Sequence, residues 1–266
     1  MFYKSNFTEV ENLLNKYGNT KVLMHDLIEF SKREDSIVLM NKQYNTVFTY
    51  VSAFKVAYLF MGDTSYEAKE RVAQLICNYM CKYQIVTLSV NKEAYDIINL
   101  IKRGYDIDSV KEEEHCVMHS YFCNDISDSN VDFKVAGIAE FDFILSNILQ
   151  DTSMSTSSPL FPVVYDEVNK RLAEGHYYVL KRNGKVISQA YVETCGDIKV
   201  IHGVYTIKKE RGKGYAKLLL KLLTNEISAS GYTPVLTVDK NNTIARRLYS
   251  SVGYYDIGNL YNFVIR

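Results

Sequence analysis

The stretch KVIHGVYTIKKERGKGYA, Lys199 to Ala216, decides the fold. Lys199 to Thr206 reads as a strand, and Arg211-Gly212-Lys213-Gly214 as a glycine-rich turn. A strong helix follows, from Tyr215 to about Ser230. Ala216, Leu220, Leu223 and Ile227 make one apolar row on it, widened by Leu219 and Leu222. Lys217, Lys221, Asn225 and Ser228 fall on the other side, and Gly231 and then Pro234 end the helix. A glycine turn between a strand and a helix N-terminus gathers backbone N–H groups and the positive end of the helix dipole at one spot. That spot suits a phosphate or pyrophosphate.

Two common phosphate loops do not fit. The Walker A pattern needs Ser or Thr after Gly-Lys, and here Gly214 follows Lys213. The dinucleotide pattern needs a third glycine, and that place holds Lys217.

Composition narrows the classes. The chain has 266 residues, 47% of them hydrophobic, enough for one large or two ordinary domains. Its 31 basic residues balance 31 acidic ones and form no run, so neither nucleic acid nor an anionic membrane surface is the expected partner. MFYKSNFTEV at the start lacks the pattern of a signal peptide, and no apolar run is long enough to span a bilayer. Five cysteines without a regular framework fit a reducing compartment, so the expectation is cytoplasmic.

Residues up to about Ser31 read as helical, with Val22, Leu23, Leu27 and Phe30 on one face. Strands follow at Ile37 to Met40, Val47 to Val51 and Lys55 to Met61. Thr64, with Glu67, predicts a capped helix that buries Ala68, Val72, Ala73 and Cys77. Ile85 to Val90 reads as a strand, and Asn91 as the cap of a helix from Glu93 to Lys102. The polar run Asn124 to Asn130 marks a boundary, giving expected domains 1–125 and 126–266.

Beyond it come a strand at Val131 to Val135 and helices at Ile138 to Leu149 and Val163 to Ala173. Arg182-Asn183-Gly184 joins two strands as a hairpin, Tyr177 to Lys181 and Lys185 to Glu193. Val235 to Val238 is a short buried strand, Thr243 to Val252 a helix behind Asn242, and Tyr255 to Ile265 the last strands.

The two halves share an order of elements. Gly62, the strand at Thr87 and Gly104-Tyr105 match Gly212, the strand at Thr237 and Gly253-Tyr254. This reads as a degenerate internal repeat. The first copy lacks the Arg and the second Gly of the turn, and Asp63 there would repel a phosphate. No metal site is expected. His115 to Cys123 matches no common zinc spacing and reads as a strand, and Cys77 and Cys81 read as half-buried core residues.

Arg211-x-x-Gly214-x-Ala216 fits the pyrophosphate loop of the GNAT superfamily of acyl-CoA N-acyltransferases. With GVYT at 203–206, Asn242 and ARRLYSSVGY at 245–254, the run from about Val131 to Arg266 resembles a GNAT domain. Residues 1–125 resemble it far less. The resemblance implies an α/β (α+β) fold, a mixed central sheet flanked by helices, in two tandem units with a non-catalytic first half. It implies acetyl transfer from acetyl-CoA to a primary amine of a small molecule or peptide.

Arg211, Gly212, Lys213, Gly214, Tyr215 and Ala216 would then hold the CoA pyrophosphate. Val204, Tyr205 and Thr206 would pair with the amide-bearing pantetheine arm as an added strand does. In the family the strand before the loop and the one at Val235 to Val238 splay apart, and the acyl group lies in the gap. Backbone N–H near Val204 would polarise the thioester carbonyl. Asn242 suits both a cofactor contact and a helix cap. Tyr249 is the expected acid for the leaving thiolate, though a chain with 22 tyrosines also packs many of them. His202 and Glu193 are both expected bases, with a water chain as the third possibility. The polar stretch Asp151 to Ser158 is either disordered or a flap beside the acceptor. Two other readings stay open: a CoA-binding sensor or scaffold without turnover, and a tandem-GNAT aminoacyl transferase, which the intact RGKGYA opposes. The acceptor and the oligomeric state are not legible.

Overall fold

The computed structural model of the protein describes residues 2–17, 20–62, 65–104, 110–121, 131–152 and 154–265. In chain order the elements are β1 (Tyr3–Lys4), α1 (Phe7–Leu14), α2 (Thr20–Leu23), α3 (His25–Phe30), β2 (Ser36–Asn41), β3 (Thr46–Val51), β4 (Val56–Met61), α4 (Tyr66–Tyr83), β5 (Thr87–Val90), α5 (Ile97–Gly104) and β6 (Val110–His119). They continue with β7 (Asp132–Val135), α6 (Phe141–Asp151), α7 (Phe161–Ala173), β8 (Tyr177–Arg182), β9 (Lys185–Cys195), β10 (Ile198–Thr206), α8 (Tyr215–Ala229), β11 (Thr233–Asp239), α9 (Thr243–Ser250) and β12 (Tyr255–Ile265). No helix among the described residues is long and apolar enough to cross a membrane.

The chain forms two compact units. One comprises Met1–Val117, Val238–Asn241 and Ile257–Arg266; the other comprises Met118–Thr237 and Asn242–Asp256. Each is a mixed sheet with helices.

In the first unit β1 to β4 run antiparallel to their neighbours, and β5 lies parallel to β4. A parallel neighbour needs a crossover, and α4 provides it, burying Ala68, Val72, Ala73, Ile76 and Cys77. Burial pushes the Cys77 thiol up to about 11, while Cys81 is exposed rather than half-buried. Ser65 caps α4 by accepting from the Ala68 N–H; Asp63 and Thr64 lie outside the described residues, as do Tyr105 and the boundary run Asn124 to Asn130.

The last segment of the chain completes this unit: β12 pairs antiparallel with β5, Tyr261 opposite Val90. It is one strand where the sequence suggests several. The leading helical region is broken into pieces, and it buries Met24, Leu27 and Ile28 while Val22, Leu23 and Phe30 are half-buried. Asn91 does not cap a helix with its side chain. It bridges the Met61 backbone, accepting from N–H at 3.0 Å and donating to C=O at 2.8 Å. A buried backbone end needs such a partner, and the side chain is spent there.

In the second unit β7 to β10 are antiparallel in order, and β11 lies parallel to β10 behind the crossover helix α8. The β8–β9 turn has Asn183 at φ 50° and Gly184 at φ 72°, the left-handed pair of a two-residue hairpin. Strand parity sorts the faces. Tyr177 and Val179 pack with α6 and α7 residues such as Ile144, Leu145, Val168 and Leu172. Tyr178, between them, bonds Glu226 of α8, and burial with that carboxylate raises its phenol to about 12. On α8 the buried residues are Leu218, Leu219, Leu220, Leu223, Thr224 and Ile227, with Ala216 and Leu222 only half-buried. Both units thus run three antiparallel strands into a helix and then a parallel strand: β2, β3, β4, α4, β5 in one and β8, β9, β10, α8, β11 in the other.

Candidate functional site

The site begins at an irregularity in β10. Its ladder with β9 pairs His202 with Tyr191 and Tyr205 with Gln189, so Gly203 and Val204 share the single place opposite Ala190. Gly203 supplies φ 58°, the left-handed conformation that such a bulge uses. On the other edge, the parallel ladder with β11 covers Ile198 to Ile201 against Thr233 to Leu236 and stops there. The bulge bends the strand, and Val204, Tyr205 and Thr206 lie beyond the ladder. Ser188 holds the end of this stretch, donating to the Tyr205 carbonyl at 2.7 Å and meeting the Thr206 hydroxyl at 2.9 Å.

The turn that follows is built by two left-handed glycines. Gly212 has φ 76° and Gly214, the N-terminal cap of α8, has φ 86°. A Cβ built on either would meet nothing within 4 Å, so handedness and not crowding calls for glycine. Gly212, Lys213 and Gly214 are exposed, Tyr215 and Ala216 half-buried. The helix therefore presents its uncapped N–H groups to solvent at a place where an anion can reach them. Arg211 ties the turn to the strand: its Nε donates to the Thr206 carbonyl at 3.0 Å, and its guanidinium lies 5.4 Å from the Tyr205 ring centre. Lys213 pairs with Glu210 at 3.0 Å and holds that carboxyl below its ordinary value. The Tyr215 hydroxyl accepts from Arg182 at 3.0 Å.

On α9, Asn242 is a true cap, its Oδ1 accepting from the Ala245 N–H at 3.0 Å. Tyr249 is buried in the last turn, and burial keeps its phenol above the ordinary tyrosine value. Tyr254, just past the helix, meets Thr224 of α8 at 2.8 Å, hydroxyl to hydroxyl, which docks this end of α9 on α8.

His202 and Glu193 do come together, His202 Nε2 to Glu193 Oε2 at 3.4 Å. Glu193 is also held by Arg171 of α7, at 2.6 Å. Burial opposes the Arg171 charge, but Tyr191, Glu193 and Glu167 outweigh it and hold the guanidinium above its usual value. Arg171 stands 4.5 Å over the Tyr191 ring, and His202 stacks on that ring at 4.9 Å and 17°. Sequence reading missed Arg171 and Tyr191, because nothing in the chain signals that a helix residue at 171 will meet strands at 191 and 193. Gly203 was legible in principle, since an isolated glycine within a strand marks a bulge.

Residues 144–254 match the model of the Acetyltransferase (GNAT) family. A curated relative, the ribosomal protein bS18-alanine N-acetyltransferase of Haemophilus ducreyi, is 36% identical over 73 residues, which is 27% of this chain and 50% of that protein. The chain thus matches about half the length of that relative. Among solved structures, an acetyltransferase from the GNAT family of Colwellia psychrerythraea superposes with TM-score 0.61 at 12% identity, covering 100% of each chain. A GCN5-related N-acetyltransferase of Sphaerobacter thermophilus superposes with TM-score 0.67 at 9% identity, covering 99% of this chain and 94% of its own. A Drosophila protein superposes with TM-score 0.71 at 11% identity, covering 99% and 98%. At these identities the likeness is one of fold.

Proposed function

We propose, taking residues 144–254 as an acetyltransferase domain of the GNAT family, that the chain moves the acetyl group of acetyl-CoA directly to a primary amine. The observation that carries this reading is a continuity: β10 leaves its parallel partner at a bulge and, after one short 3-10 turn at Lys208–Glu210, leads into the glycine turn that opens α8. Such a path serves both parts of one ligand. Val204 to Thr206 offer backbone groups to the amide-bearing arm, and the N–H groups from Arg211 to Ala216 receive the pyrophosphate. Arg211 is engaged with Thr206, so it acts by holding the turn's shape as well as by charge.

In the reaction the neutral amine attacks the thioester carbonyl, and the oxyanion takes an N–H from the bulge at Val204. His202 accepts the amine proton, with Glu193 at 3.4 Å steadying the imidazolium. The Glu193 carboxylate is already held by Arg171 at 2.6 Å, so its place in this reading is beside His202 and not as the base. The C–S bond breaks, and Tyr249 gives its proton to the thiolate. The acceptor is a small molecule or a peptide; the name of the Haemophilus relative favours a peptide amine. The reaction would take place in the cytoplasm.

The first unit is read as a GNAT-like partner without a cofactor site. Its β4 and β5 stay paired through Leu59 and Val90, and Asn91 occupies both polar groups of Met61 where the strand ends. A screen tests the whole reading: CoA thiol release from acetyl-CoA over a panel of small amines and short peptides, one with N-terminal alanine. Acceptor-dependent release is expected. Tight acetyl-CoA binding with no acceptor raising the release would favour a sensor or scaffold instead.

A further inference from the structure

The registers of β8, β9 and β10 place three rings side by side on one face. Tyr177 lies opposite Tyr191, and Tyr191 opposite His202. Their rings meet in turn: Tyr177 and Tyr191 at 5.2 Å between centres, Tyr191 and His202 at 4.9 Å. Cross-strand rings at such separations restrain the backbones that carry them. The middle ring does more. A Cβ on Gly203 would lie 3.1 Å from two Tyr191 ring carbons, so the ring lies against one side of the left-handed residue of the bulge, which is otherwise exposed. Arg171 in turn stands over Tyr191 at 4.5 Å, itself anchored by Glu193 at 2.6 Å and Glu167 at 3.4 Å.

We propose that Tyr191 is the positioning residue of the β10 bulge, its ring pressed on Gly203 and held by Arg171, so that the Val204 N–H keeps one direction. This rests on the acetyl-transfer reading, which places the thioester carbonyl at that N–H. A bulge is otherwise a soft part of a strand, since its extra residue has no ladder partner. A flat, rigid ring removes that freedom with few torsions of its own to freeze, and Arg171 keeps the ring from turning. The ring carbons are the part of Tyr191 that meets Gly203.

The test reads the carbonyl itself. Acetyl-CoA carrying ¹³C at the thioester carbon is bound to the full chain, and its C=O stretch is followed by isotope-edited infrared difference spectroscopy. Wild type is expected to shift the band to lower frequency, as a hydrogen-bonded carbonyl does. Tyr191→Phe should keep the shift. Tyr191→Leu, which fills much of the volume without the flat ring, should lose or broaden it, while affinity for acetyl-CoA falls by no more than about 5-fold, the scale of one net hydrogen bond. Tyr191→Met fills the site with a flexible chain and serves if the Leu variant melts below the assay temperature. An undiminished shift in the Leu or Met variant overturns the proposal and leaves the acetyl-CoA reading intact. Binding by wild type with no shift also overturns it, because the carbonyl then lies elsewhere. Failure of wild type to bind acetyl-CoA at all overturns the underlying reading with it.

Discussion

Gly214 separates the backbone from the charge in the turn. It caps α8 at φ 86° and ψ 0°, and a Cβ there would meet no atom within 4 Å. Substitution therefore costs only the left-handed conformation, about 1 kcal/mol for a non-glycine residue and less for Asn, which visits that region readily. Gly214→Asn and Gly214→Asp have nearly the same shape and differ by one negative charge. In water, two unit charges about 5 Å apart interact by about 1 kcal/mol, and at an effective dielectric of about 20 by about 3. Gly214 is exposed, so the lower figure applies. Summed over the two phosphates of the pyrophosphate this is about 2 kcal/mol, or about 30-fold in Kd. Titration calorimetry with acetyl-CoA should show one site per chain in wild type and modest weakening in Gly214→Asn. Gly214→Asp should be about 30-fold weaker than the Asn variant at low salt. The gap should narrow toward 1 M salt, where the Debye length is about 3 Å. Equal affinities for the two variants at low salt would refute the placing of an anion at this turn, and two sites per chain would refute the reading of the first unit.

Tyr249→Phe removes one oxygen from a buried ring; turnover with the true acceptor should fall by about 10²–10⁴-fold while acetyl-CoA affinity holds. Because burial raises the Tyr249 phenol, the wild-type rate should lose this contribution only as pH rises past the ordinary tyrosine value, and a loss near neutrality would contradict the assignment. Glu140 is buried in a close ion pair with Lys181 and accepts from the Gly137 N–H at 2.8 Å; burial alone would raise its carboxyl, and these partners lower it. A lowered carboxylate stabilises the fold above its unfolded pKa and loses that effect as pH falls through the folded one. Glu140→Gln should accordingly cost about 2 kcal/mol in urea unfolding at pH 7 and progressively less below the usual glutamate range near pH 4, and a cost independent of pH would show that the pair does not act this way.

The sequence by itself determined the local frame of the second unit. The α8 start lay in Gly214 and Tyr215, and its stop in Gly231 and Pro234, because capping and handedness are properties of a few neighbouring residues. The β8–β9 hairpin lay in Asn183-Gly184 for the same reason, and the cap at Asn242 in a spacing of three residues. What the sequence could not decide was which strands stop pairing and which side chains meet. The β10–β11 ladder ends at Ile201 and Leu236 through the geometry of two strands far apart in the chain. Asn91 looked like a cap locally, yet Met61, thirty residues away in sequence, offered two buried backbone groups and took the side chain. Glu193 and His202 were legible as titratable strand residues, but nothing local showed that α7 would bring Arg171 to 2.6 Å from Glu193 and over Tyr191. Turns and caps depend on the nearest few residues, whereas ion pairs, stacked rings and ladder ends depend on register and packing between segments, which only the folded chain sets.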